Sequence, residues 1–220
     1  MPGRRAGFPG IRSLGGSTLH GRLAWWGLAL VGVTYTLFQK KMLPPRIAQF
    51  VSILFFYPTY PVTLLQRWKN WKTTVDDTVI LGVAPMGLLG HPQQLHKLGV
   101  RAVVNMCDEY GGPLSSYTEL GIKQLRLPTI DHIEPSLEAM QEACRFINAH
   151  KQRGEKVYVH CKAGHGRAAS VALCWMLYSD PALNAEKGNA FLVGRRKVRP
   201  GLYKQKNVKA FKALVDGGWQ

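Results

Sequence analysis

The sequence predicts an α/β domain with a mostly parallel central sheet flanked by helices, preceded by an N-terminal membrane-associated extension. From about residue 73, short apolar runs alternate with helical patterns, as in chains that build parallel sheets. At 157–178 a strand pattern leads through a glycine-containing loop into an apolar helix. The first 75 residues differ in composition, because they hold ten Lys or Arg and no Asp or Glu. These observations divide the chain into segments 1–22, 23–72 and 73–220.

The first two segments point to targeting and to a membrane. Residues 1–22 are rich in Gly and Arg and lack acids, which fits either an organelle-targeting presequence or a disordered basic tail. Residues 23–38 carry no charge and would span about 24 Å as a helix, less than a typical hydrocarbon core. They fit a short spanning helix, an inserted anchor or a sorting segment, and the flanking cations and aromatics favour membrane contact.

A second apolar run, residues 47–65, contains Pro58 and Pro61, which argue against a straight spanning helix. Its aromatic stretch 55–60 and the basic residues that follow fit the lipid interface. The alternative is that the run packs on the domain formed by 73–220.

The helices and strands of the third segment are predicted from the spacing of apolar residues and from Pro, Gly and Ser at their ends. Pro92 near the start and Gly99 at the end bound a short helix. Ser136 is a helix cap, followed by apolar residues at helical spacing such as Met140 and Cys144. The predicted strands are 79–82, 101–106, 122–127 and 157–160, and the predicted helices are 92–98, 114–120, 137 to before Gly154, 168–178, about 184–197 and about 203–215.

Composition limits the function classes. The net charge is +16, but no nucleic-acid-binding motif is present, so an anionic membrane surface or a phosphate substrate fits better. The four cysteines form neither a CxxC pair nor a spacing typical of zinc sites. We therefore expect no metal, no cofactor and no disulfide framework, and a reducing compartment.

The chemistry is predicted to lie in the loop from Cys161 to Arg167. Backbone N–H groups of such a loop, with the helix N-terminus beneath, form a cradle for an anion. Arg167 has the planar fork that binds two phosphate oxygens, and Cys161 lies where the cradle favours a thiolate nucleophile. A buried cysteine with only a structural role would explain neither the spacing of Arg167 from Cys161 nor the strand, loop and helix around them. The predicted phosphate-binding residues are Lys162, Ala163, Gly164, His165, Gly166 and Arg167.

Hydrolysis of a phosphomonoester by a Cys161 nucleophile needs a proton donor for the leaving alkoxide. Asp131 follows a predicted strand and precedes the capped helix, so it is the predicted general acid; the alternative is a solvated loop carboxylate or a cap. His160 is expected to orient the loop. His165 at the rim either faces the substrate or is simply exposed.

The Cys-x5-Arg loop resembles the dual-specificity branch of the protein tyrosine phosphatase superfamily. Within it, the chain resembles the mitochondrial tyrosine-phosphatase-like phosphatases of phosphatidylglycerophosphate. This resemblance implies an inner-membrane enzyme, facing the matrix, that makes phosphatidylglycerol for cardiolipin synthesis and whose substrate is an anionic phospholipid. The segments that carry it, over roughly 50–215, are Phe56–Thr59, Val79–Gly82 with Pro85, Val104–Met106 with Asp108–Tyr110, Leu125–Thr129 with Asp131, and Tyr158–Gly164.

The same resemblance suggests further roles. Asp108, Glu109 and Tyr110 would lie near the active site and, with His160, are substrate-pocket candidates; Tyr110 either walls the pocket or fills the sheet edge. Arg195, Arg196 and Arg199 either contact the lipid phosphate or the membrane, or form a solvated basic face.

Two positions depart from the family. Ala168 stands where Ser or Thr helps the thiolate to leave, which predicts slower breakdown of the phosphoenzyme. His165 replaces a commoner Arg or Lys and would change headgroup preference. Three functions are therefore open: a lipid phosphatase, a dual-specificity phosphoprotein or phosphoinositide phosphatase, and a non-catalytic phosphate-binding module. Cys161, Arg167 and Asp131 argue against the third.

Overall fold

The structure is a computed structural model that describes residues 19–40 and 42–219, with side chains from residue 25 onward. It contains two compact units, Met1–Lys40 and Lys41–Gln220. In the first, helix α1 (Leu19–Gln39) covers the predicted apolar segment 23–38. Most of the predicted targeting segment 1–22 lies outside the described residues. Membrane contact of 23–38 stays a prediction.

The second unit is built on a five-stranded sheet of order β1-β2-β5-β3-β4. Only β1 is antiparallel to its neighbour, so the mostly parallel sheet is confirmed. Strand β1 was not predicted, because three residues are too few to show a period. The strands are β1 (Lys72–Thr74), β2 (Val79–Gly82), β3 (Val100–Cys107), β4 (Lys123–Thr129) and β5 (Lys156–His160). The helices are α2 (Pro45–Arg67), α3 (His91–Lys97), α4 (Leu114–Glu119), α5 (Leu137–Lys151), α6 (Arg167–Ser179), α7 (Ala185–Arg195) and α8 (Lys206–Asp216).

Both faces of the central strands are buried. Val157 and Val159 of β5 point to a large core that also contains side chains of α5, α6 and α8. Tyr158 between them points to a smaller core with side chains of α3 and α4. A strand covered on both faces is apolar at nearly every position, which is why β2 and most of β5 read as continuous apolar runs. The edge strand β4 instead has three exposed positions. The central strand β5 ends directly before Cys161.

Helix α5 shows how local sequence sets an element. Ser136 caps it as predicted, its Oγ accepting a hydrogen bond from the Ala139 N–H at 3.1 Å. Met140, Cys144 and Ile147 are all buried on one face. The cap therefore sets the start of α5 directly after the 130–135 loop that contains Asp131.

Helix α2 differs from the interruption expected at its prolines, since it is continuous from Pro45 to Arg67. Proline has no N–H, so Pro58 leaves the Leu54 carbonyl, and Pro61 the Tyr57 carbonyl, without its helical hydrogen bond. Leu54 and Tyr57 are both exposed. The missing bonds therefore lie on the outer face, and the inner face keeps its helical ladder.

The inner face of α2 is part of the catalytic core. Phe56 is fully buried, and the Tyr60 hydroxyl donates to the Ala84 carbonyl. The Arg67 guanidinium donates to the Lys197 carbonyl at 2.9 Å. The structure thus joins α2 to the unit that contains 73–220, whereas the division by sequence set 23–72 apart. Composition averages over both faces of a helix, so it cannot separate the buried stripe from the exposed one.

Candidate active site

The loop after β5 forms the cradle that the sequence predicted. Cys161 is almost fully buried at the end of the central strand, and α6 begins at Arg167 with the free N–H groups of its first turn. Gly164 has a φ of +63°, and a Cβ there would lie 2.5 Å from the Gly82 carbonyl oxygen. Only glycine fits this approach of the loop to β2. The Ala84 N–H donates to the Lys162 carbonyl at 3.2 Å and ties the loop to the chain beyond β2.

Arg167 lies beside this loop with its guanidinium fixed in one plane. Its Nη1 and Nη2 donate to the two carboxylate oxygens of Glu109 at 2.8 and 2.7 Å, and Nη1 also donates to the Thr129 carbonyl at 2.7 Å. The Nε atom is buried and has no hydrogen-bond partner among the described residues. An unpaired buried donor is costly, so this edge of Arg167 is suited to an incoming anion.

Asp131 occupies the other nitrogen of the same edge. Its Oδ1 lies 3.0 Å from Arg167 Nη2, and its side chain is 23% exposed. Burial acts to raise the pKa of Asp131, but the positive charges of Arg167 and His132 together hold that pKa below its ordinary value. Without phosphate, Asp131 is therefore an ionised partner of Arg167.

The Glu109 loop is held by a residue that sequence reasoning did not assign. Asn105 is fully buried near the end of β3; its Nδ2 donates to the Tyr110 carbonyl at 2.9 Å, and its Oδ1 accepts from the Cys107 N–H at 2.9 Å. An amide in an otherwise apolar strand was the signal in the sequence. The Glu109–Arg167 pairing itself had no sequence signal, because the two residues are 58 positions apart.

Tyr110 lies between α2 and the segment after β2, not at an edge of the sheet, since the edge strands are β1 and β4. Its hydroxyl donates to the Pro85 carbonyl at 2.7 Å. Its ring stacks on Phe56 at 5.0 Å between centroids, and Phe56 stacks on Tyr60 at 5.3 Å. This aromatic stack connects the Glu109 loop to α2. Asp108 is only half-buried, and its carbonyl accepts from Arg126 at 2.8 Å.

Neither histidine of the loop is a cation at neutral pH. Burial lowers the pKa of His160 to about 3, and its Nδ1 lies 3.4 Å from the Cys161 carbonyl oxygen. Burial also lowers the pKa of His165, whose Nδ1 lies 3.0 Å from the Lys197 carbonyl oxygen. The positive charge at the cradle therefore comes from Lys and Arg side chains, among them Arg167 and Lys162.

Arg196 corrects an expectation from the sequence. It was predicted to contact lipid phosphate or membrane, or to form part of a solvated face, but it is only 3% exposed. It donates to the Ala163 and Gly164 carbonyls at 2.9 and 3.1 Å, and to the Asn70 carbonyl. Arg196 therefore braces the phosphate loop from behind, through acceptors that only the folded chain brings together.

The two neighbouring arginines lie differently. Arg195 is exposed, with its guanidinium 4.1 Å from the centroid of the Phe191 ring. Arg199 is half-buried, and a Cβ at Gly166 would lie 3.4 Å from its guanidinium carbon.

The first turn of α6 has no hydroxyl at position 168, where a fully buried alanine stands. The nearest hydroxyl along the helix, Ser170, lies 2.7 Å from Gln205 Oε1 and 3.2 Å from the Gly166 carbonyl. Within the described ranges no group of three His, Cys, Asp or Glu side chains is placed to hold a metal ion. What the site offers chemically is a thiol, a fixed guanidinium and a carboxylate.

Comparison with known proteins agrees with this geometry. The family described as "Dual specificity phosphatase, catalytic domain" matches residues 79–210. The Homo sapiens protein "Phosphatidylglycerophosphatase and protein-tyrosine phosphatase 1" is 33% identical over 134 residues, which cover 56% of this chain and 66% of that protein. The Arabidopsis thaliana "Phosphatidylglycerophosphate phosphatase PTPMT2" is 33% identical over 131 residues, 56% of this chain and 57% of that protein. This chain thus spans less than two thirds of the length of either relative.

Solved structures show the same fold. The structure titled "Crystal Structure of PTPMT1" superposes with a TM-score of 0.60 at 26% identity, covering 67% of this chain and 98% of that one. The matched family covers more than half of the chain, and it includes the strand, loop and helix that hold Cys161 and Arg167. This protein belongs to the dual specificity phosphatase family, of which it contains the catalytic domain.

Proposed function

We propose that this protein hydrolyses phosphomonoesters through a phosphocysteine intermediate at Cys161. The observation that carries the proposal is the state of Arg167. Glu109 fixes one side of its guanidinium, while the edge formed by Nε and Nη2 holds only Asp131. A phosphate group that replaces Asp131 on this edge gains two charge-assisted hydrogen bonds next to the sulfur of Cys161.

The same displacement prepares the general acid. Once it leaves Arg167, Asp131 loses its nearest cation and faces a phosphate dianion, so its pKa rises and it takes up a proton. Cys161 sulfur then bonds to phosphorus as the phosphorus–oxygen bond of the ester breaks, and Asp131 protonates the leaving oxygen. In the second step Asp131 takes a proton from water, the water oxygen bonds to phosphorus, and Cys161 leaves as thiolate. Arg167 and the loop amides stabilise the equatorial oxygens in both steps.

The proposed substrate is phosphatidylglycerophosphate, which would be converted to phosphatidylglycerol in cardiolipin synthesis. The names of the human and Arabidopsis relatives support this substrate class. The surface of the second unit supports it as well, because α2 presents large exposed apolar side chains next to a site built for a phosphate. These side chains are Ile47, Phe50, Ile53, Leu54, Tyr57, Val62 and Leu65.

The geometry of α2 favours a position on a membrane surface over a path across it. In the described part of the chain, one helical stretch, Pro45–Asn70, is long and apolar enough to span a bilayer. Its inner face, however, lies in the catalytic core through Phe56 and Tyr60. The prolines leave two outer carbonyls without helical partners, which is costly in hydrocarbon and tolerated at the hydrated interface.

The proposed location is the matrix side of the inner mitochondrial membrane. The acid-free basic composition of residues 1–22 supports import, and the resemblance to the mitochondrial phosphatases supports the compartment. The ten cations before residue 76 fit the anionic lipids of such a surface.

The test compares three substrates side by side with the purified full-length chain. These are vesicles with phosphatidylglycerophosphate, vesicles with a phosphoinositide monophosphate, and a phosphotyrosine peptide, with phosphate release as the readout. We expect the highest kcat/KM on phosphatidylglycerophosphate, and no turnover by Cys161→Ser, because a serine hydroxyl is far less ionised than a thiol. Preference for the peptide or the phosphoinositide would reassign the substrate. Phosphate binding without turnover on any of the three would make the domain a non-catalytic module.

A further inference from the structure

One hydrogen bond connects the membrane-facing helix to the phosphate loop. Thr59 lies on α2, and its Oγ1 accepts from the Lys162 ammonium at 2.5 Å. The same hydroxyl donates to the Phe55 carbonyl within the helix at 2.5 Å. Because its one proton is used by Phe55, the hydroxyl presents a lone pair to Lys162, and the two bonds reinforce each other.

The ammonium of Lys162 is held at the rim of the cradle. It lies 5.5 Å from the centroid of the Phe56 ring, which gives it a second contact on α2. Lys162 is half-buried, and burial lowers its pKa while the nearby carboxylates of Asp131 and Glu109 act to raise it. These neighbours are the same acids that surround Arg167. Lys162 follows the nucleophile directly in the loop, and its ammonium is held against α2 by Thr59 and the Phe56 ring.

We propose that Thr59 is a positioning residue that fixes Lys162 to bind the second anionic group of the substrate, the phosphodiester of the lipid headgroup. This inference rests on the proposed lipid substrate. Such a lipid carries a terminal phosphomonoester, which the cradle and Arg167 bind, and a phosphodiester closer to the acyl chains. Thr59 is half-buried, at the boundary between the buried and the exposed face of α2, so a cation anchored on it lies between the cradle and the face proposed to contact lipid.

The hydrogen bond from Lys162 to Thr59, called the tether below, lowers the entropy lost when substrate binds. A free lysine side chain has four rotatable bonds and is attracted to the adjacent carboxylates, so substrate binding would have to order it. Held by Thr59, the ammonium is ordered before the lipid arrives, and less of the binding free energy is lost. Thr59 acts through Lys162 and does not itself touch the reacting atoms.

The experiment uses full-length variants in vesicles. Thr59→Val keeps the shape but removes the hydroxyl, Thr59→Ser keeps the hydroxyl, and Thr63→Val is the matched control. Thr63 lies one turn further along α2 and donates only to the Thr59 carbonyl, at 3.3 Å. Each variant is assayed on phosphatidylglycerophosphate and on p-nitrophenyl phosphate, which has no second anionic group.

The readout is the ratio of kcat/KM on the lipid to kcat/KM on p-nitrophenyl phosphate. We expect Thr59→Val to lower this ratio about tenfold, because it removes a hydrogen bond to a charged group. Most of the loss should appear as a higher KM for the lipid. Thr59→Ser should restore the ratio, and Thr63→Val should leave it as in the native enzyme. Lys162→Gln should lower the ratio similarly, and the double variant should lose no more than Lys162→Gln alone. Additive losses, or equal losses on both substrates, would overturn the positioning role.

Failure of the proposed function is a separate outcome. If the native enzyme cleaves phosphoinositide vesicles but not phosphatidylglycerophosphate, the substrate assignment fails, and the same ratio is measured on the phosphoinositide, which also carries a phosphodiester. An unchanged ratio in Thr59→Val on whichever lipid is cleaved overturns the tether. A native enzyme that cleaves only p-nitrophenyl phosphate overturns both. Thermal melting of each variant shows whether a loss reflects folding.

Discussion

Arg167 decides how the individual residues of the site work, because its guanidinium is held by two carboxylates and by backbone carbonyls. Glu109 accepts two hydrogen bonds from it and sets the plane of the guanidinium, and Thr129 fixes its depth. Asp131 holds the place that phosphate is proposed to take. In the proposed mechanism, phosphate binding would therefore release Asp131 to act as the general acid.

Asp131→Asn tests that role. We expect hydrolysis of alkyl phosphates to fall by about 10²–10⁴-fold, because a basic alkoxide needs a proton to leave. Hydrolysis of aryl phosphates with good leaving groups should fall much less. Steady-state kinetics on one ester of each kind, with the same enzyme preparation, measure the difference. Equal losses on both would show that Asp131 supports the loop and does not transfer a proton.

Ala168→Ser tests the second step. A hydrogen bond to a charged group contributes about 1.5–3 kcal/mol, so its absence slows expulsion of the thiolate by roughly ten- to a hundredfold. Ser170 is already bonded to Gln205 and Gly166. We therefore expect the native enzyme to show a burst of product in rapid mixing, and Ala168→Ser to raise steady-state turnover. A native enzyme without a burst, and no gain in the variant, would mean that phosphoenzyme breakdown is not limiting.

At the scale of elements, α2 is the helix with two environments. Its inner face contributes Phe56 and Tyr60 to the core, and its outer face carries apolar side chains and two prolines that face solvent. The Phe56 ring lies between those of Tyr60 and Tyr110, so α2 supports the Glu109 loop through aromatic contacts. The helix therefore contributes to stability, to the site and to the proposed membrane surface together.

Phe56→Ala, compared with Phe50→Ala, measures how much the buried face of α2 contributes to the free energy of unfolding. Truncation of a fully buried phenylalanine costs about 3–5 kcal/mol of unfolding free energy, because it leaves a cavity. Phe50 is 66% exposed, and its truncation should change stability by less than about 0.5 kcal/mol. Urea denaturation of the full-length chain in the absence of vesicles gives both values. Similar stabilities of the two variants would show that α2 is not part of the core.

The whole molecule should lose stability in acid, and His160 gives the reason. Its pKa is about 3 when folded, against about 6.5 in an unfolded chain. Between these values the unfolded state binds a proton that the folded state does not. The free energy of unfolding should therefore rise with pH from about 3 to about 6.5, by up to about 1.4 kcal/mol per pH unit.

Asp131 acts in the same direction at lower pH. Its folded pKa is depressed, so its contribution is fully present above its unfolded value of about 3.9 and is lost as the pH falls through the folded value. Urea denaturation at pH 4.5 and 7.0 tests the larger effect, that of His160. His160→Gln should reduce the slope over this interval but not abolish it, because burial also lowers the pKa of His91, His150 and His165. An unchanged slope in the variant would assign the acid sensitivity to these other groups.

Much of the fold could be predicted because its signals are local. Strand β2 (Val79–Gly82) was predicted to the residue, and the Ser136 cap of α5 lies where the sequence indicated. Period and capping depend on neighbours within one or two turns, so a sequence window contains them. The cradle belongs to the same class: a strand end, a glycine with positive φ and a helix start stand within ten residues.

What the sequence determined by itself is therefore the α/β order of elements and a phosphate loop with Cys161 and Arg167 at a defined spacing. The tertiary structure decided which side chains surround that loop: Glu109 on Arg167, Arg196 behind Gly164, and Thr59 on Lys162. These partners lie 58, 32 and 103 positions apart. Hydrogen bonds between residues so far apart in the chain depend on how the helices and strands pack. Hydrophobic periodicity and local propensity do not predict this packing.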